Sequence, residues 1–308
     1  MVSWTIPIEI GTIIKGQSSN FQVMAQANHP SRQPEARVSS RNLFLAFLAA
    51  AGGTVLVADN LGDVFGVAAP VFFGLAYYLM HRSSRLRRFS VITYAFFVFA
   101  LVISVRHLVL DSSSVNGLLS SLNGLVVYQV VDTSVVFAPV ILLVRANGGT
   151  LGSLFLRKGN LRLGLGIAVP VFLVFLVVSF VIEQLLAPSF GVRGVGLTFV
   201  LSLAPYLSIV ALLNGPKEEL LYRGLFLQRY DAFLPQRGTN LLSTIVFALS
   251  VVEPEYFAQL VGAVLVALVG GLLFVKLMRK TNSIIASGIC EGASTIPIYL
   301  IVILTIVH

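Results

Sequence analysis

Long apolar runs dominate this chain of 308 residues and limit the folds open to it. Most are roughly 16 to 24 residues long, close to the length that a transmembrane helix needs. Hydrophobic residues make up 56% of the chain and charged residues 11%, as in an integral membrane protein. Only helices and closed barrels satisfy the backbone within lipid, and strand alternation is nowhere sustained. The expected fold is therefore all-α, a polytopic transmembrane helical bundle.

The apolar runs predict about eight or nine spans, of which the first and the seventh are short. Lys and Arg lie mainly in alternate loops, as expected when one set of loops is cytoplasmic. The sequence thus predicts a cytoplasmic N-terminus and a C-terminus outside. The candidate spans are 43–58, 64–80, 90–109, 121–143, 163–186, 197–213, 241–252, 257–278 and 283–306.

The same distribution predicts three regions. Residues 1–40 are polar and form an N-terminal arm that we expect to be mobile and to lack a cleaved signal peptide. Residues 41–158 hold the first transmembrane helices. The Gly-Asn-Leu-Arg stretch at 159–162 marks the boundary to residues 159–308, which hold the remaining spans and most of the carboxylates discussed below.

Composition also limits the partners and cofactors. Cys290 is the single cysteine, which excludes an intramolecular disulfide and a thiolate metal cluster. The net charge of +8 is explained by cytoplasmic loops. No run of Lys and Arg has the interleaved aromatic residues of a nucleic-acid surface, so no nucleic-acid partner is expected. The expected partner is the lipid bilayer.

Adjacent carboxylates and an arginine stand out in the apolar stretch from Asn214 to Gly224. Ionisable groups at membrane depth are costly, so they indicate a functional site first. In a helix that starts at Pro216, Glu219 and Arg223 are spaced i,i+4 and can pair. Glu218 then lies about 100° away, without a partner, as a general base requires. The alternative is that Glu219 and Arg223 form only an internal pair that stabilises the helix.

The segment Pro216-Lys-Glu-Glu-Leu-Leu-Tyr-Arg-Gly224 resembles the EExxxR-G motif of the CPBP family of intramembrane proteases, which includes the type II CAAX prenyl endopeptidases. Two later segments agree in order and spacing. Residues 243–251 resemble the family's second motif, Phe-x-x-x-His, with its aromatic position at Phe247. Residues 271–291 resemble the approach to its third motif. The resemblance covers roughly 160–300 and implies a helical membrane protease.

The chain departs from the family at both histidine positions. Val251 stands where the second motif has histidine, Glu291 where the third has it, and Thr295 occupies the position four residues later, where the family has an Asn or similar residue. In the family, the first Glu activates water, and the histidines and Asn stabilise the oxyanion or, in older accounts, bind zinc. Without the histidines a zinc site is doubtful, so no metal ligand is predicted. The chain's histidines, at 29, 81, 107 and 308, all lie outside the motifs.

Helical rise places the motif positions at similar depths. Counted from the cytoplasmic ends of their spans, Glu291 lies about 12 Å deep, Val251 about 15 Å and Glu218 about 16 Å. The sequence therefore predicts a cavity in the cytoplasmic half of the membrane, lined by Glu218, Glu219, Arg223, Glu291 and Glu253. By the resemblance, the first four are the catalytic residues, and Phe247, Val251 and Thr295 line the binding site.

Three functions fit such a cavity. The first is an endopeptidase in which Glu218 is the base, Arg223 holds Glu219, and Glu291 replaces a histidine. Its substrate would be a prenylated or membrane-embedded peptide. The second is an inactive family member that binds a membrane partner, and the third is a carboxylate-lined site for a cation or a proton. Outside the motifs, Gln129, Asp132, Glu183 and Gln184 are expected to form hydrogen bonds between helices or to lie at the interface.

Overall fold

The computed structural model describes residues 39–186, 196–251 and 257–307. The predicted N-terminal arm falls almost entirely outside these residues, as does Glu253. The described residues form helices and turns and contain no strand, which confirms the all-α prediction. The long helices are α1 (Ser40–Arg82), α2 (Ser90–Leu110), α3 (Leu122–Ala146), α4 (Leu161–Leu186), α5 (Leu197–Glu218), α6 (Gln236–Leu249), α7 (Phe257–Thr281) and α8 (Ile284–Val307).

Five helical stretches of the described part are long and apolar enough to cross a membrane. They lie in α2, α3, α4, α5 with the turns that follow it, and α8. The chain is therefore an integral membrane protein, as predicted. The count of eight or nine spans and the orientation of the termini stay predictions.

The first two predicted spans are both helical and lie within α1, with no loop assigned between them. The two halves of α1 nevertheless lie side by side. Phe47 and Phe73 both contact Phe96, at ring distances of 6.2 and 5.5 Å, whereas about 26 residues of straight helix would separate them by roughly 39 Å. A cavity of about 480 Å³ lies between the halves, and Ala49, Ala50, Gly53, Thr54, Ala68, Ala69, Phe72 and Phe73 line it.

An aromatic core fixes the chain directly after the EExxxR-G segment. The rings of Phe226 and Tyr230 stack at 5.3 Å, and Phe47 of α1 stacks on Tyr230 at 5.5 Å. Phe99 of α2 contacts the edges of Tyr222 and Phe226. Because these side chains are buried, the position of the carboxylates is set by packing on both α1 and α2.

Glycines bring α5 and α8 into backbone contact. A Cβ added at Gly215 would lie 1.9 Å from the Gly288 carbonyl oxygen, and one at Gly292 would lie 1.9 Å from that of Ala211. Small residues allow this approach between membrane helices. The crossing places Glu291, next to Gly292, beside the end of α5.

The loop before α4 is bonded to the turn between α7 and α8. The Asn160 amide donates to the Thr281 carbonyl at 2.8 Å, the Ile284 amide donates to Phe155 at 3.0 Å, and the Ser283 hydroxyl donates to Arg157 at 2.6 Å. Gly159 has a φ of 54°, and a Cβ there would lie 2.2 Å from the Thr281 oxygen. The predicted boundary between residues 158 and 159 thus falls within a bonded contact, and the division itself stays a prediction.

Candidate active site

The EExxxR-G segment adopts a π-helical turn at the end of a long helix. α5 runs through Pro216 to Glu218, and Glu219–Gly224 form the π turn, in which the Leu225 amide donates to the Leu220 carbonyl five residues earlier at 2.9 Å. The predicted helix start at Pro216 is therefore wrong, because α5 already extends over the preceding apolar run. π turns within helices occur frequently at functional sites.

Arg223 lies between two buried carboxylates. Its Nη1 donates to Glu219, as the i,i+4 spacing predicts, and lies 3.8 Å from Glu291 Oε2 of α8. The side chains of Glu219 and Arg223 are fully buried, and that of Glu291 is 3% exposed. The guanidinium also faces the Phe247 ring of α6, 4.5 Å from its centroid. The structure thus brings together four of the predicted site residues.

Thr244 of α6 completes this group, which we call the carboxylate cluster: Glu219, Arg223, Thr244, Phe247 and Glu291. A Cβ at Gly271 of α7 would meet Thr244 at 2.9 Å and Arg223 at 3.0 Å, so α7 approaches the cluster through a glycine. Sequence reasoning missed Thr244, although it lies three residues before Phe247 in the predicted second motif.

Several polar atoms of the carboxylate cluster make no hydrogen bond with the described residues. They are Glu219 Oε2, Arg223 Nε and Nη2, Thr244 Oγ1 and Glu291 Oε2. In the described part of the chain, the Tyr230 hydroxyl is the one other buried side-chain atom in this state. Unpaired buried polar groups are rare in native proteins and typically mark strain, a catalytic role or a place where water or an ion binds. The unpaired polar atoms make the carboxylate cluster a candidate functional site.

Glu218 belongs to a separate set of charges. Its Oε1 lies 3.3 Å from Lys217 Nζ, and Lys217 Nζ lies 2.5 Å from Asp132 Oδ2 of α3. Asp132 is held in turn by Arg106 of α2, with Nε at 2.6 Å and Nη2 at 3.2 Å. These residues form a line of alternating charge, which we call the charge chain: Arg106, Asp132, Lys217 and Glu218.

The two neighbouring glutamates therefore have different surroundings, in keeping with their predicted angular separation. The side chain of Glu218 is 20% exposed, whereas that of Glu219 is fully buried and bonded to Arg223. Glu218 is the carboxylate of the pair that a water molecule or a substrate can reach.

The prediction for Lys217 is wrong. It follows the predicted span 197–213, so the distribution of Lys and Arg assigns it to a cytoplasmic loop. In the structure its side chain is 3% exposed and lies between Asp132 and Glu218. The prediction that Gln129 and Asp132 bond between helices is confirmed. Gln129 donates to Asn214 of α5 at 3.4 Å and accepts from the Tyr299 hydroxyl of α8 at 3.1 Å.

Two predicted binding positions show no described contact with the carboxylates. Val251 is half-buried in the turn after α6, and the Thr295 hydroxyl donates to the Gly292 carbonyl within α8 at 2.8 Å. Their part in a binding site stays a prediction, as does the shared depth of Val251, Glu218 and Glu291.

The carboxylate cluster is not suited to bind zinc, the metal that older accounts describe in the CPBP family. Zinc prefers nitrogen and sulfur ligands, whereas Glu219 and Glu291 offer oxygen and flank a guanidinium whose positive charge opposes a cation. Among the described residues, no group of three or more His, Cys, Asp and Glu is placed to hold a metal.

Comparison with known proteins agrees with the motifs. Residues 200–295 match the family model described as type II CAAX prenyl endopeptidase Rce1-like. No curated protein and no solved structure matches the chain. The matched segment begins in α5 and ends in α8, and it includes every residue of the carboxylate cluster, together with Lys217 and Glu218. The resemblance drawn from the sequence is thus confirmed: residues 200–295, about a third of the chain, are similar to the Rce1-like family.

Proposed function

We propose that this chain is an intramembrane endopeptidase of the CAAX prenyl protease type, in which Glu218 activates the attacking water. The observation that carries the proposal is the division between the two glutamates. Arg223 is paired with Glu219, whereas Glu218 is partly exposed and, among the described residues, is paired only with Lys217. A general base needs a free oxygen within reach of water, and Glu218 offers one.

The reaction that this arrangement supports is hydrolysis of a peptide bond. Glu218 takes a proton from water as the water oxygen attacks the carbonyl carbon. The carbon–nitrogen bond then breaks, and Glu218 returns the proton to the leaving amine. Lys217, fixed by Asp132, orients Glu218 and holds a positive charge beside it. Glu219, Arg223 and Glu291 hold α5, α6 and α8 in position around it.

The substrate class follows from the setting. The carboxylates lie at the end of α5 in a membrane protein, so a peptide must reach them from the membrane or its surface. A prenylated peptide, whose lipid partitions into the bilayer, meets this condition. So does a membrane-embedded segment without a prenyl group.

A cleavage assay tests the proposal. The purified protein in lipid nanodiscs is incubated with a panel of prenylated and unprenylated peptides, and the products are identified by mass spectrometry. Glu218→Gln should lower the rate by about 10²-fold or more, as loss of a general base does. Asp111→Asn, which neutralises an exposed carboxylate at the end of α2, is the matched control and should keep the parent rate. A parent that cleaves none of the peptides would refute the proposal.

The second candidate is a catalytically inactive protein that binds a membrane partner. It is favoured by the absence of both motif histidines and by the contact of Glu291 with Arg223, which gives Glu291 a structural role. Val251→His, Glu291→His distinguishes the two candidates. One lost oxyanion donor costs about 10²–10³ in rate, so restoring the imidazoles should raise cleavage by at least that factor and keep it dependent on Glu218. If the double variant cleaves and its folded parent does not, the parent is the inactive binder.

A further inference from the structure

A cationic cavity lies where α4 begins and α7 ends, outside the carboxylate cluster and the charge chain. Its volume is about 870 Å³, within the range of ligand sites. Three separate elements supply its cations: Lys158 from the loop before α4, Arg162 from the first turn of α4, and Lys280 from the last turn of α7. No Asp or Glu lines the cavity.

The cations of the cavity differ from their neighbours in the same segments. Arg157 donates to the Asn282 carbonyl at 3.0 Å, and Arg279 binds Asp231 in bidentate fashion at 2.7 and 2.8 Å. Lys158, Arg162 and Lys280 are exposed, and their side chains make no hydrogen bond or ion pair with the described residues. Three unpaired positive charges around one cavity repel each other, so an anion bound between them lowers the free energy.

The backbone under these cations is held in place. Gly159 lies against the Thr281 carbonyl, and the Asn160 amide and side chain bond to Thr281 and to the Leu163 amide. The positive end of the α4 dipole adds to the potential of the cavity. The backbone that carries the three cations is thus fixed, and the potential of the cavity is positive.

We propose that this cavity binds the phosphate-bearing head group of an anionic membrane lipid. Both α4 and α8 contain membrane-crossing stretches, so the cavity lies where lipid head groups lie. Below Arg162, the face of α4 continues with Leu165, Val169 and Leu173, all exposed and spaced i,i+4. An acyl chain can follow this apolar stripe while the phosphate contacts the cations, whereas free phosphate can use only the cations. Basic pockets between membrane helices are typical lipid sites. The proposal does not depend on peptidase activity.

Isothermal titration of the full-length protein in a non-ionic detergent tests this site. The probe is dioctanoyl phosphatidylglycerol, and the comparison ligands are dioctanoyl phosphatidylcholine and inorganic phosphate. The test variant is Lys158→Gln, Arg162→Gln, Lys280→Gln. The matched control, Arg85→Gln, Arg87→Gln, Arg237→Gln, removes the same charge from exposed positions that do not line the cavity.

We expect saturable binding of phosphatidylglycerol and weaker binding of both comparison ligands. Each cation contributes about five-fold, so the cavity variant should raise the dissociation constant on the order of 100-fold, and the single variant Arg162→Gln about five-fold. The control should change it little. Equal losses in the two triple variants would show that surface charge alone binds the lipid. Phosphatidylcholine or inorganic phosphate binding as tightly as phosphatidylglycerol, or no saturable binding by the parent, would also overturn the proposal.

Discussion

Arg223 is the single positive charge between the carboxylates of Glu219 and Glu291, and it is fully buried. Burying these groups is costly, and the cost is offset only while the charges face each other. The ring of Phe247 covers one face of the guanidinium and keeps it from lipid and water. The cluster therefore depends on its arginine more than on either glutamate.

Replacing Arg223 should be strongly destabilising. Arg223→Leu leaves two carboxylates in a buried space without a counter-ion, and we expect the free energy of unfolding to fall by about 3–5 kcal/mol. Denaturant unfolding in detergent measures it. The triple variant Glu219→Gln, Arg223→Leu, Glu291→Gln should recover much of the loss, because no unpaired charge is then buried. Equal stability of Arg223→Leu and the parent would mean that water reaches the cluster.

At the residue scale, spacing along one helix was predictable and pairing across the bundle was not. The i,i+4 relation of Glu219 and Arg223 is visible in the sequence and is present in the structure. Lys217 was assigned to a loop because a lysine near the end of an apolar run usually lies in one. Its burial is set by Asp132, 85 positions away, which no local pattern shows.

At the scale of elements, the crossing of α5 and α8 decides where Glu291 lies. Gly215 and Gly292 remove the side chains that would keep the two backbones apart. Gly166 of α4, by contrast, has no such role. A Cβ at Gly166 of α4 would meet nothing within 4 Å.

Adding one methyl group at the crossing should separate α5 from α8. Gly292→Ala places a Cβ 1.9 Å from the Ala211 oxygen, and we expect it to lower the free energy of unfolding by about 1–3 kcal/mol or more. Gly166→Ala is the matched control and should be neutral or stabilising by up to about 1 kcal/mol, since alanine favours helix. Thermal unfolding in detergent compares the two. If Gly292→Ala were as stable as Gly166→Ala, the close crossing of α5 and α8 would be contradicted.

Helix positions followed from apolar length, because each run that can span a membrane must satisfy its own backbone. α2, α3, α4 and α8 begin and end within a few residues of their predicted spans. The continuous helix of α1 and the π turn at Glu219 were not predictable, since both depend on packing. The aromatic contacts of Phe47 and Phe73 with Phe96 bring the halves of α1 together.

At the scale of the whole molecule, the distribution of Lys and Arg predicts which loops are cytoplasmic. The loop after α1 contains Arg85, Arg87 and Arg88, whereas the loop after α2 contains Asp111 and no Lys or Arg up to α3. The loop that contains Lys158 is also rich in Lys and Arg, like the loop after α1. These assignments together require the two loops to face opposite sides.

Labelling of single added cysteines tests this topology. Cys290 is buried, so an impermeant maleimide applied to intact cells should report only an introduced residue. Ser114→Cys, between α2 and α3, should be labelled from outside. Ser84→Cys, after α1, should be labelled only once the membrane is permeabilised. Labelling of both positions in intact cells would show that the predicted orientation or the number of spans is wrong.

The charge chain also bears on how the protein is made. A single charge at the centre of a membrane helix adds roughly 2.5–3.5 kcal/mol to the cost of insertion. Arg106 is synthesised first and Asp132 next, and Lys217 and Glu218 follow together. Asp132 and Lys217 therefore each have an opposite charge on a helix that was synthesised earlier, and the order of translation supplies both with a counter-ion.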